Sequence, residues 1–150
     1  MSQYTWTRMP TRTPSAILAA LILLGCSSPS APNSGSRMDI GIIDLGGTLD
    51  SVLTGPRSGS VGERLTFRVT TFGDGCVSAA SSQQIVQGLQ ITIIPYDQIT
   101  TGPCTRELRT IPRDVTVVFD RAGDAFLRVQ GRSYLGRDLV IVTQQMPILP

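Results

Sequence analysis

The stretch Leu65-Thr66-Phe67-Arg68-Val69-Thr70-Thr71 decides the fold. Leu65, Phe67, Val69 and Thr71 alternate with Thr66, Arg68 and Thr70, and a period of two puts one set on each face of an extended chain. Gly62 in front and Gly73-Asp74-Gly75 behind supply turn residues, so the run reads as a half-buried strand with defined ends. Downstream, the same alternation recurs over residues 89–95, with Leu89, Ile91 and Ile93 on one face, and over 115–119, with Val115, Val117 and Phe119. It continues over 125–129, with Ala125, Leu127 and Val129, and ends in the apolar run 139–142. Upstream, 40–45 and 48–53 are shorter candidates separated by Gly46-Gly47. Residues 76–86 are a weaker one, because Ala79-Ala80-Ser81-Ser82 offers little to a core. Turn residues stand between these runs at Gly55-Pro56, Gly102-Pro103, Arg121-Ala122-Gly123-Asp124 and Gly136. No stretch after residue 25 shows an apolar face at a spacing of about 3.6 residues. The expectation is an all-β sandwich of about seven to nine strands, spanning residues 37–150 as one domain.

The N-terminus has a different character. Arg8 and Arg12 precede the nine-residue apolar run Ala16-Ile17-Leu18-Ala19-Ala20-Leu21-Ile22-Leu23-Leu24, which is closed by Gly25-Cys26. A basic flank, an apolar segment of roughly 7–15 residues and a small residue at the cut make an export signal, and nine residues fall well short of the roughly 20 that span a bilayer. Leu23-Leu24-Gly25-Cys26 resembles the lipobox of bacterial lipoproteins, with Leu24 where a smaller residue is usual. That resemblance implies that residues 1–25 are a signal peptide and that Cys26 takes a thioether-linked diacylglycerol and becomes the mature N-terminus. The protein would then sit in the cell envelope, partnered with a membrane through Cys26. Ser27 is compatible with the outer membrane where the cell has one. Residues 26–36 continue as a Ser/Pro/Gly/Asn-rich tether with no aliphatic side chain larger than Ala.

Composition removes whole classes of chemistry. All thirteen basic residues are Arg, and neither Lys nor His occurs. The leader holds two of them, Arg8 and Arg12, so residues 26–150 carry eleven basic and eleven acidic side chains. A neutral mature chain gives no support for nucleic-acid binding, which needs a clustered basic face. Without His there is no Ser-His-Asp or Cys-His nucleophile and no imidazole metal ligand. Without Lys there is no Schiff base and no phosphate-loop lysine. Paired carboxylates, as in glycoside hydrolysis, remain in principle, but the sequence does not show which acids approach one another. No catalytic residue, no cofactor and no metal is expected.

With Cys26 consumed by lipid, Cys76 and Cys104 form an even pair in an exported protein, where a disulfide is the default. Closing that loop stabilises the domain by roughly 3–4 kcal/mol on the chain-entropy model. The C-x-x-C spacing of redox-active pairs is absent.

Gly62-Glu63-Arg64-Leu65-Thr66-Phe67-Arg68-Val69 resembles the second strand of bacterial immunoglobulin-like domains, and residues 115–129 are similar to their closing hairpin. The resemblance covers residues 50–131 and implies an immunoglobulin-like β-sandwich. Two features depart from it: no Trp is available for the core, and the two cysteines fall at strand ends. Ile40-Gly41-Ile42-Ile43-Asp44-Leu45-Gly46-Gly47-Thr48-Leu49-Asp50-Ser51 resembles the first motif of haloacid dehalogenase-like phosphatases, with Asp44 at the nucleophile position. Gly46 stands where that family has its second Asp, and the required Lys does not exist in this chain. Asp74, Asp120 and Asp124 beside glycines read as turn residues and not as calcium ligands. Arg106, Arg109 and Arg113 would suit an anion-binding edge, but the alternation around them favours an exposed strand face. The functional expectation is a non-catalytic envelope module that binds a protein or polysaccharide through loops or an open sheet edge. The alternative is a small-ligand carrier or inhibitor with a pocket between its sheets.

Overall fold

The computed structural model describes residues 35–47 and 51–150. The expected signal peptide, Cys26, nearly all of the tether and the start of the candidate strand at 48–53 lie outside the described residues. Ten strands make up the regular structure: β1 (Ser36–Ile40), β2 (Ile42–Asp44), β3 (Leu53–Thr54), β4 (Gly59–Ser60), β5 (Leu65–Gly73), β6 (Val77–Gln87), β7 (Gln90–Thr100), β8 (Arg109–Val117), β9 (Gly123–Ser133) and β10 (Leu139–Leu149). Among the described residues there is no helix, and the protein is an all-β sandwich whose sheet does not close.

One layer is built on β5, which pairs antiparallel with β8 along one edge and with β3 along the other. The other runs β6, β7, β9, β10, with β4 at the tip of β10. The alternation read from the sequence is what packs them together. Leu65 and Phe67 of β5 stand opposite Val117 and Val115 of β8, while Ile91 and Ile93 of β7 stand opposite Leu127 and Val129 of β9. These side chains join Phe119, Met146 and Ile148 in one continuous buried cluster. Each large member contributes about 1.5–3 kcal/mol relative to exposure. Every member of that cluster lies between Ile43 and Ile148, inside the compact unit Pro32–Pro150, so this unit holds the whole core needed to fold on its own.

Three differences from the sequence reading have physical causes. Residues 77–87, poor in core side chains, form an eleven-residue strand because the ladder to β7 holds them, with a break in register between Ala79 and Ser82. Strands β7 to β10 run past their apolar centres, since backbone pairing continues through the polar ends. The segment 40–45 is not one strand. β7 and β9 lie side by side over Gln90–Ile93 and then separate, and a V-shaped segment fills the gap: β1 runs antiparallel along β7 and β2 runs parallel to β9. Gly41 is the apex, donating its N–H to Pro95 O at 2.8 Å and accepting from Arg132 N at 2.9 Å.

Candidate functional site

The V-shaped segment borders a cleft of about 860 Å³. Its apolar lining includes Ile40 and Ile42 of the V, Phe72 at the end of β5, and Val77 and Ile99 on β6 and β7. Cys76 and Cys104 form part of the wall. They are disulfide-bonded as expected, with Cα atoms 5.3 Å apart across a separation of 28 residues. The rim carries Arg37, Arg106, Leu108, Tyr134 and Arg137.

Two carboxylates that the sequence could not pair meet here. Asp39 of β1 and Asp97 of β7 are direct cross-strand partners, an arrangement that destabilises a sheet unless the charges are compensated. Each has its own guanidinium. Arg113 donates through Nη2 to Asp97 Oδ1 and to Thr71 Oγ1 (2.7 Å), and through Nη1 to Tyr96 O. Thr71 Oγ1 in turn donates to Asp97 Oδ1 at 3.0 Å. Arg132 Nε lies 3.5 Å from Asp39 Oδ1, and its Nη1 donates to Arg137 O at 3.1 Å. The arginines hold both acids as ion pairs, an arrangement suited to structure and not to proton transfer. The expected exposed face of Arg106, Arg109 and Arg113 is therefore corrected at Arg113, whose side chain is 8% exposed; Arg106 and Arg109 stay exposed. Arg113 follows the phase of Ile111, Val115 and Val117 on β8, so the period of two turns it inward.

The remaining acids singled out by sequence act locally. Asp44 Oδ1 accepts from Gly46 N at 2.7 Å, and Asp74 Oδ1 accepts from Cys76 N at 2.9 Å. Asp120 pairs with Arg121 at 3.1 Å on the surface, and that neighbouring guanidinium holds its carboxyl below the usual range. No group of three or more Cys, Asp or Glu among the described residues is placed to hold a metal ion.

A second feature lies on β10. Leu139 to Ile148 pair with β9, but among the described residues its other edge is paired only where Ile148 and Leu149 meet Gly59 and Ser60 of β4. The bare stretch begins Leu139-Val140-Ile141-Val142-Thr143, with neither charge nor Pro. Leu139 and Ile141 are more than half exposed on the outer face, while Val140 and Val142 pack partly into the core. The two other long edges carry guards of the kind that discourage edge pairing. β6 is broken by its register shift, and β8 carries Arg109, Pro112, Arg113 and Asp114. The sequence marked 139–142 as a strand, but only the topology reveals that it lies at an edge.

No family model matches the chain, and no curated protein or solved structure matches it. The architecture and these two surfaces therefore carry the functional reading.

Proposed function

We propose that the protein is an envelope lipoprotein, exported by residues 1–25 and held to a membrane by lipid on Cys26, whose immunoglobulin-like sandwich is a non-catalytic interaction module. Its partner is a protein that adds an extended strand along the bare edge of β10. The unguarded edge carries this reading: unpaired backbone groups supply affinity for another strand, and the side chains at Leu139 and Ile141 supply selectivity. The filled interior supports it as well. Phe67, Phe119, Ile91, Ile93 and Leu127 occupy the space between the layers where a carrier would need its pocket.

The test has two arms in intact cells. Fractionation should find the native chain with membranes and the Cys26→Ser chain in the soluble fraction. A photo-crosslinking residue at Ile141 should give a discrete protein adduct that a Thr143→Pro change, which removes an N–H on the bare edge, abolishes, whereas a photo-crosslinking residue at Val86 on β6 should give none. Membrane retention of Cys26→Ser would end the anchoring claim. Equal adducts from both strands would end the edge claim.

A further inference from the structure

The cleft beside the V-shaped segment has a composition that the edge reading leaves unused. Its charged lining is unbalanced. Asp97 is neutralised by Arg113 and Asp39 by Arg132, whereas Arg37, Arg106 and Arg137 have no carboxylate partner among the described residues. Against those three guanidinium groups stands Asp74, one of whose oxygens already accepts the Cys76 N–H. Between them the surface is apolar, with Ile42, Phe72, Val77 and Ile99 below and Leu108 at the rim, more than half exposed.

Arg137 adds an independent observation. It is the one described residue other than Gly with positive φ, at 57°, in the left-handed region that favours Gly or Asn. Its place in the tight turn between β9 and β10 would be less strained with Gly, yet the chain keeps a guanidinium there beside the cleft.

We propose that this cleft binds an anionic amphiphile: one phosphate or carboxylate head carried on an aliphatic body. Guanidinium forks match the planar or tetrahedral oxygens of such a head. The apolar walls gain by covering the chain behind it. A volume of about 860 Å³ lies within the roughly 300–1,000 Å³ of small-molecule sites. The same chemistry reaches the cleft either as a free amphiphile or as an anionic lipid at a bilayer surface.

The test uses the unit 32–150, which contains the whole core. Calorimetric titration with dodecyl phosphate, below its micelle threshold, should show saturable binding of one molecule. Vesicles of phosphatidylcholine with and without phosphatidylglycerol form the second arm. Arg106→Ala with Arg137→Gly should weaken binding by at least about tenfold, as expected when two charge-assisted contacts are lost. Arg64→Ala, on the exposed turn before β5, should leave it unchanged. Because Gly relieves the backbone at position 137, the double variant should be no less stable than the parent, so its loss of binding cannot be assigned to unfolding. Arginine-dependent binding of dodecyl phosphate identifies a free amphiphile, and arginine-dependent binding confined to vesicles containing phosphatidylglycerol identifies the bilayer lipid. Binding in neither arm, equal binding by the double variant, or displacement of dodecyl phosphate by orthophosphate at equal concentration would overturn the proposal.

Discussion

Arg113 on β8 reaches across the interior to Asp97 on β7, and the two side chains are only 8% and 4% exposed. Thr71 on β5 bonds both, so three strands from two layers meet in one polar knot at the edge of an apolar core. Taking either charge away leaves the other buried without compensation. Asp97→Ala and Arg113→Ala should each destabilise the domain by about 3–5 kcal/mol. The double change Asp97→Leu with Arg113→Met should cost less than either, because apolar groups of similar size carry no desolvation penalty. Denaturant unfolding of the four proteins checks this. A double variant as unstable as the sum of the singles would show that the ion pair is not the coupling element.

Gly41 should tolerate no side chain. Its φ is not positive, so the requirement is space and not backbone conformation. A Cβ there would stand 2.5 Å from Thr71 Cγ2 and 2.8 Å from Asp97 Oδ2. Gly41→Ala should therefore destabilise by about 1–3 kcal/mol through overpacking. Adding Thr71→Ser removes the methyl group that causes the closer clash and should recover part of the loss in thermal unfolding. No recovery would mean that the contact with Asp97 dominates.

The phase of the sequence carries this network, although the expected exposed face at Arg113 passed it over. Thr71 follows Leu65, Phe67 and Val69 by steps of two, Asp97 follows Ile91 and Ile93 across Pro95, and Arg113 lies between Ile111 and Val115. All three stand where the alternation points inward, and a polar group in phase with a core calls for a partner. Which partner it finds depends on the pairing of β1, β5, β7 and β8, which brings together Arg113 and Thr71, 42 residues apart, and Asp39 and Asp97, farther apart still, and which local periodicity does not encode. The same limit hid the edge position of β10 and the break of 40–45 at Gly41. It also hid β6, whose order comes from its neighbour's backbone and not from its own side chains.

At the surface, Asp120 should titrate below an ordinary aspartate because Arg121 donates to it and attracts it. A carboxyl whose folded pKa is depressed adds stability above its unfolded value, about 3.9, and loses that contribution as pH falls through the lower folded value. Both side chains are well exposed, so solvent screens the effect on stability. Carboxyl NMR should place the Asp120 midpoint low in the parent and move it up toward about 3.9 in Arg121→Ala. An unmoved midpoint would remove Arg121 as the cause.

Reduction of Cys76–Cys104 should weaken the domain without dissolving the cleft. Opening the cross-link restores freedom to the unfolded chain, a loss of roughly 3–4 kcal/mol on the entropy model. The two segments it joins are held together in other ways. Gly75 N donates to Thr105 O at 2.9 Å, Thr100 N donates to Cys76 O at 3.0 Å, and Val77 pairs with Ile99 in the β6–β7 ladder. The denaturation midpoint should drop on adding reductant, while amide signals of Val77, Ile99 and Thr100 keep their folded positions in native buffer. If those signals collapse with reduction, the sulfur bridge, and not the backbone pairing, is what shapes the cleft wall.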